Sequence, residues 1–122
     1  MKLLVTGGLG FIGSNFIRKL LTENSDYEII NVDAELFGAN QKNLSDIENS
    51  GKYHFEKGNI TNKKFMEEQI AKCDAVINFA AESFVDRSIN DANPFLVSNI
   101  RGAFTLLDII TKQKKANDTN FY

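Results

Sequence analysis

Three glycines and one aspartate are the residues whose types and spacing most directly suggest chemistry. Gly7, Gly10 and Gly13 form a Gly-x-x-Gly-x-x-Gly run, and Asp33 follows 20 residues after the last of them. Set between a strand and a helix, such a run holds the pyrophosphate of a dinucleotide. Gly7 permits the tight turn, Gly10 lets the backbone approach the pyrophosphate, and Gly13 lets the helix pack against the strand. The amides of Phe11 and Ile12, at the helix N-terminus, would donate to phosphate oxygens. Asp33 would accept hydrogen bonds from the adenosine ribose. Its charge repels a 2'-phosphate, and residues 34–40 contain no arginine or lysine to neutralise one, so NAD is preferred to NADP. Gly58-Asn59-Ile60 falls at the rim of the adenine pocket. There Asn59 either bonds the adenine amino group or simply turns the chain from strand to helix.

These groups meet only if the chain builds the elements that carry them. Leu3, Leu4 and Val5 form a continuous apolar run, the mark of a strand (2–6) buried on both faces of a parallel sheet. Phe11, Ile12, Phe16, Ile17, Leu20 and Leu21 recur at helical spacing over 11–23. A second strand covers 28–32 and ends on Asp33, a short helix is expected over 44–48, and a third strand covers 53–57. Thr61 or Asn62 caps the next helix, with Phe65, Met66, Ile70 and Ala71 on its buried face. Ala75 to Phe79 is the fourth strand and residues 80–93 are a loop. Asn93-Pro94 then opens a long helix to about Lys112, burying residues among Phe95, Leu96, Ile100, Ala103, Phe104, Leu107 and Ile110. Gly102 inside that helix costs roughly 1 kcal/mol against alanine, which points to the close approach of another backbone. Residues 113–122 give no clear element.

Strands alternating with helices imply an α/β fold: a Rossmann-type doubly wound parallel sheet, its N-terminal part only, in strand order 3-2-1-4. The crevice then lies at the carboxyl ends of strands one and four, which brings Gly7–Gly13 beside Ala80–Ser83. With no further strand expected beside the fourth, Ala75 to Phe79 would leave an apolar edge that promotes self-association.

A chain of 122 residues is one domain or part of one, and 43% hydrophobic with 25% charged residues suits a packed core. The net charge of -2 suggests neither nucleic acid nor a membrane surface as partner. No apolar run approaches the roughly 18 residues that cross a bilayer, and the N-terminus lacks a signal-peptide pattern. One cysteine, Cys73, forms no intrachain disulfide, in keeping with a reducing compartment; a cytoplasmic location is expected. His54, the only histidine, reads as structural. Cys73 has no histidine or cysteine near it in sequence, so neither a metal site nor a catalytic thiol is expected.

Thr6-Gly7-Gly8 through Gly13, taken with Phe79-Ala80-Ala81-Glu82-Ser83, resembles the extended short-chain dehydrogenase/reductase superfamily. Phe79 to Ile89 is similar to the corresponding stretch of the dTDP-glucose 4,6-dehydratases, usually Ala-Ala-Glu-Ser-His-Val-Asp-Arg-Ser-Ile. The resemblance covers the whole chain, which corresponds to the N-terminal third of such an enzyme. It implies Phe11 and Ile12 at the cofactor pyrophosphate, Asp33 and Ala34 at the adenosine ribose, and Asn59 and Ile60 at the adenine. Phe79, Ala80 and Ala81 would run along the cofactor, Ser98 would lie near the ribose, and Ser83 would contact the sugar nucleotide. The implied reaction oxidises C4 of the glucose with NAD+, eliminates water across C5 and C6, and returns the hydride to C6. Its product is dTDP-4-keto-6-deoxyglucose.

Three departures stand out. Asn59 replaces an aspartate but keeps an acceptor oxygen. Leu36 stands where a hydroxyl residue is usual, removing a ribose contact. Phe84 replaces a histidine beside the substrate and bears on which sugar nucleotide is taken. The family's Tyr-x-x-x-Lys and Asp-Glu pairs belong to later elements, so no catalytic residue is expected in this chain, the substrate domain is expected to be absent, and the chain reads as an N-terminal fragment. The resemblance further implies a homodimer at full length. Two other readings stay open: another superfamily enzyme of sugar nucleotides (an epimerase or a UDP-glucose dehydratase), and a non-catalytic dinucleotide binder. Ser83 and Val85 to Ser88 favour the enzyme, because a pure NAD sensor has little use for substrate contacts.

Overall fold

The computed structural model describes residues 1–23, 26–114 and 120–121. Lys2–Thr6 (β1) is the centre of a parallel sheet, with Glu28–Asp33 (β2) on one side and Ala75–Asn78 (β4) on the other. Tyr53–Lys57 (β3) pairs with the outer edge of β2, which gives the expected order 3-2-1-4. Successive side chains of a strand leave opposite faces, so β1 serves two cores at once. Leu4 packs with Ile30, Val32, Met66, Ile70, Val76, Leu106 and Ile109 on one face. Val5 packs with Leu9, Ile17, Ile29, Leu44 and Tyr53 on the other. An uninterrupted apolar run is what such a two-faced position requires.

A fifth strand, Asn120–Phe121 (β5), pairs in parallel with Ala75 and Val76. It takes part of the edge that was expected to be open, and it lies in a stretch whose composition signals no element. A two-residue pairing is set by backbone hydrogen bonds to β4 and needs no side-chain pattern. Residues 115–119 and 122 of that stretch lie outside the described residues.

Phe11–Glu23 (α1) buries Gly13, Ser14 and Ile17, with Phe16, Leu20 and Leu21 packed against the same core. Phe11 and Ile12, expected on its apolar face, are 81% and 67% exposed; the first turn faces the cleft described below and not the sheet. The helix expected near 44–48 is instead a 3-10 turn at Gln41–Leu44, capped by Asn40, whose side chain accepts from the Lys42 amide at 3.0 Å. Asn62 caps Lys63–Ile70 (α2) by accepting from the Phe65 amide at 3.3 Å. Met66, Gln69 and Ile70 are its buried residues, whereas Ala71 is the exposed C-cap.

Two features after β4 depart from the sequence reading. Val85–Asn90 (α3) is a helix inside the expected loop, with no buried residue and hence no apolar stripe to announce it. The long helix then begins at Asn93–Phe95 (α4) and ends as Ala103–Lys114 (α5), but Leu96–Gly102 between them is π-helical. Bonding from i to i+5 rotates every later residue relative to an α-helical phase. The buried face therefore runs through Gly102, Thr105, Leu106, Ile109 and Ile110, while Leu96, Ile100, Phe104 and Leu107 are exposed. Of the side chains expected inside, Ile110 is buried and Phe95 and Ala103 are half-buried. Gly102 is small because a Cβ there would lie 2.3 Å from Ile60 Cδ1, so its neighbour is a side chain and not a backbone.

Candidate functional site

The site starts where β1 stops. Gly7 turns the chain at φ +71° and donates its amide to the Val32 carbonyl at 2.9 Å. A Cβ on Gly7 would sit 2.5 Å from the Ala80 nitrogen, and one on Gly13 would sit 2.4 Å from the Gly7 oxygen. Both positions thus exclude a side chain because backbone passes too close. Gly10 differs: a Cβ there meets only the Gly7 oxygen at 3.4 Å, so the space beyond it is the open cleft. Ser14 makes the first helical hydrogen bond, to the Gly10 carbonyl at 3.0 Å. The amides of Phe11, Ile12 and Gly13 are consequently orphan donors at the N-terminus of a 13-residue helix.

On the β2 side, Asp33 is 8% exposed and already holds two backbone amides. Its Oδ2 accepts from Leu9 at 3.0 Å and its Oδ1 from Glu35 at 2.8 Å. A carboxylate accepts about four hydrogen bonds, which leaves capacity for two ligand hydroxyls. Glu35 adopts φ +55°, and its carboxylate meets Lys57 Nζ at 2.5 Å and accepts from Gln41 Nε2. The hydrogen bond from Lys57 holds the Glu35 carboxyl below its ordinary range, with Gln41 adding to the effect. Behind them, buried Asn31 accepts from the Gly8 amide at 3.1 Å and donates to the Tyr53 hydroxyl at 2.8 Å. Asn31 is the residue of the turn's support that sequence reasoning missed. An asparagine inside an apolar strand, where a polar group must find partners, was the available signal.

On the β4 side, Asn78 Oδ1 accepts from the Thr6 hydroxyl at 2.5 Å and from the Ala80 amide at 3.2 Å, tying the ends of β1 and β4 together. Asn99, in the π-helical segment, clasps the backbone of residue 82. The Glu82 amide donates to Asn99 Oδ1 at 2.8 Å, and Asn99 Nδ2 donates to the Glu82 carbonyl at 2.9 Å. Across the cleft mouth Phe84 meets Phe37 edge-to-face, with centroids 4.8 Å apart, and the Arg87 guanidinium lies 4.2 Å from the Phe37 ring centroid. Arg87 also stands 3.5 Å from the buried Glu82 carboxylate. The phenylalanine found where histidine is usual therefore joins the loop after β4 to the loop after β2.

These pieces enclose one cleft of about 410 Å³. Gly7, Gly10, Phe11, Ile12, Gly13, Asp33, Ala34, Asn59, Ile60, Phe79, Ala80, Ala81, Ser83 and Ser98 all line it, together with Leu36, Phe37, Glu82 and Phe84. Asn59 uses its side-chain oxygen locally, accepting from the Thr61 amide at 3.0 Å and the Thr61 hydroxyl at 2.8 Å. Both lone pairs are then taken, and what it offers the cleft is its amino group.

Other reactive residues lie elsewhere. His54 is 3.4 Å from Glu28 and does not line the cleft. Burial pushes the Cys73 thiol up to about 11. Among the described residues no cluster of His, Cys, Asp or Glu could hold a metal ion, and no helix is long and apolar enough to cross a membrane. The chain does contain one Tyr-x-x-x-Lys spacing, Tyr53 with Lys57, but it falls on strand β3. Along a strand residues four apart are separated by roughly 13 Å. Tyr53 is buried against Asn31 and Lys57 pairs with Glu35, so the two do not form an acid–base couple.

A glycine turn leaving the central strand of a parallel 3-2-1-4 sheet, with an acid at the tip of the next strand, defines a Rossmann-type domain. Residues 4–122 match the family profile described as GDP-mannose 4,6 dehydratase, and the chain belongs to that family. Its relatives include the low-salt glycan biosynthesis protein Agl12 of Haloferax volcanii, 44% identical over 88% of this chain and 34% of that protein. The dTDP-glucose 4,6-dehydratase of Haemophilus influenzae is 45% identical over 89% of this chain and 32% of its own length. Among solved structures, the dTDP-glucose 4,6-dehydratase of Bacillus anthracis in complex with NAD superposes with a TM-score of 0.86 at 36% identity, covering 99% of this chain and 36% of that one. DesIV of Streptomyces venezuelae, a dTDP-glucose 4,6-dehydratase with NAD and TYD bound, gives 0.89 at 36% identity, over 98% and 38%. The expected likeness to this class of dehydratase is met. The chain spans about a third of the length of the curated relatives it matches.

Proposed function

We propose that this chain is the NAD-binding portion of a sugar-nucleotide 4,6-dehydratase, a lyase acting on dTDP-glucose or a close analogue. The observation that carries the reading is the convergence of the glycine turn, Asp33 and the 79–84 loop on one cleft. The residues present fit a dinucleotide. Orphan amides at Phe11, Ile12 and Gly13 suit a pyrophosphate, the open side of Gly10 leaves room for it, and Asp33 keeps two acceptor positions for ribose hydroxyls. Ala80 and Ala81 line the same cleft and would present only small side chains to a bound cofactor. Ser83 also lines the cleft, and the resemblance assigns it to the sugar nucleotide. When bound, NAD supplies the hydride acceptor and donor. This chain's residues bind and orient, and its contribution to proton transfer is none. The acid and base are assigned to sequence outside these 122 residues, as is the substrate domain.

The homodimer expected from the resemblance is part of the same proposal. Leu96, Ile100, Phe104 and Leu107 form an exposed apolar stripe suited to a second copy. The cytoplasm is the proposed location, and neither nucleic acid nor membrane is a proposed partner.

Calorimetric titration of the chain with NAD+ tests the reading. Saturable binding, weakened at least about tenfold in Asp33→Ala by the loss of two charge-assisted hydrogen bonds, is expected. Absence of NAD+ binding refutes it. Incubation with dTDP-glucose should yield no 4-keto-6-deoxy product, and measurable loss of water from the substrate would overturn the assignment of catalysis elsewhere.

A further inference from the structure

Asp33 and the lack of a lysine or arginine in residues 34–40 disfavour a 2'-phosphate, but tertiary structure brings a cation to the same place from another strand. Lys57 is the residue directly opposite Asp33 in the β2–β3 ladder. Tyr53 and Phe55 of β3 belong to the core face that also receives Ile29 of β2. With a period of two, Lys57 shares that face with Asn31 and Asp33. Neighbouring strands are about 4.8 Å apart, so a flexible four-carbon side chain there can swing its ammonium toward a phosphate placed beside the Asp33 carboxylate. By position it is the group that would accept a 2'-phosphate.

It is engaged by an acid instead. Glu35 Oε2 lies 2.5 Å from Lys57 Nζ, and Gln41 Nε2 donates to the other oxygen of the same carboxylate. Glu35 is aimed by its backbone, which takes the left-handed conformation at φ +55° while its amide donates to Asp33 Oδ1 at 2.8 Å. L-residues other than glycine avoid that conformation, so the local fold holds the acid in place against a backbone preference.

We propose that Glu35 is a second determinant of NAD selectivity, acting by sequestering Lys57 away from the ribose pocket. The inference rests on the dinucleotide reading of the cleft. Asp33 repels a 2'-phosphate directly, and Glu35 removes the one neighbour on the paired strand that could compensate.

The test compares NAD+ and NADP+ affinities, by calorimetry on the chain, for wild type, Glu35→Gln, Lys57→Met and the double variant. Glu35→Gly serves beside Glu35→Gln, since it removes the acid and also suits the left-handed backbone. Freeing an exposed lysine for a phosphate should raise NADP+ affinity roughly three- to tenfold in both Glu35 variants, with NAD+ affinity unchanged. The gain should vanish in Glu35→Gln with Lys57→Met, and shrink with added salt. An unchanged NADP+ to NAD+ ratio in variants that still bind NAD+ overturns the inference and leaves the dinucleotide reading intact. A gain that survives Lys57→Met overturns the sequestration and assigns the effect to charge alone. Failure of the wild type to bind NAD+ overturns the dinucleotide reading, and this inference with it.

Discussion

Replacing Gly7 by alanine separates two costs that glycine avoids at the entrance to the site. The first is conformational: at φ +71° an alanine is left-handed and costs about 1–2 kcal/mol. The second is steric, because the new Cβ would lie 2.5 Å from the Ala80 nitrogen and 2.6 Å from the Phe79 carbonyl carbon. Those atoms are backbone at the end of β4, so relief requires moving the tips of β1 and β4 apart, at about 1–3 kcal/mol. Gly51 supplies the control. Its φ is +73°, and an added Cβ would meet nothing within 4 Å, so Gly51→Ala pays the conformational cost alone. The gain from restricting the unfolded chain is common to both substitutions and cancels in their difference. Gly7→Ala should therefore be less stable than Gly51→Ala by about 1–3 kcal/mol, or about 4–12 °C in melting temperature for a domain of this size. Urea unfolding followed by circular dichroism measures it. Gly10→Ala completes the series: its Cβ has one ordinary contact at 3.4 Å, so stability should hold while dinucleotide affinity falls, because the methyl occupies the cleft. Equal stabilities for the Gly7 and Gly51 variants would refute the close approach of β4 to the turn.

Further expectations concern groups away from the turn. Cys73 is buried and its thiol is pushed up to about 11, so it should resist an alkylating reagent at neutral pH in the native state and react on unfolding; prompt labelling of the folded chain would contradict this. Asp108 accepts from Lys112 and Lys63, which lower its carboxyl pKa below the ordinary 3.8. A depressed pKa contributes stability above the unfolded value that is lost as pH falls through the folded one; Asp108→Asn should thus flatten the decline in melting temperature below about pH 4, and an unchanged profile would count against the pairing. Asn99→Ala strands the amide and carbonyl of Glu82 and should cost about 1–3 kcal/mol, with hydrogen exchange rising first at residues 81–83. Phe84→His should cost about 0.5–1.5 kcal/mol through loss of the edge-to-face pair with Phe37, and no change in stability would show that pair to be idle.

The order of strands and the residues at the strand tips were legible because their signals are local and redundant. Leu3 to Val5, the three glycines and Asp33 sit within one β-turn-α-β unit, and right-handed crossovers then leave few arrangements for β3 and β4. The convergence of fourteen separate site positions on one cleft follows from that topology alone. What stayed hidden depended on register or on a change of helical pitch. Leu96 to Gly102 has the composition of an α-helix, and only its packing reveals i to i+5 bonding, which turned Phe104 and Leu107 outward and Leu106 and Ile109 inward. Asn120–Phe121 is too short for any period to register. The pairings of Phe37 with Phe84 and of Glu35 with Lys57 join residues 47 and 22 positions apart in the chain. The sequence by itself determined the Rossmann-type frame and the place of its cleft, because periodicity and glycine chemistry act over a few residues. Tertiary structure alone decided which cation stands beside Asp33 and which acid holds it, because strand register carries side chains together and no local pattern encodes that distance.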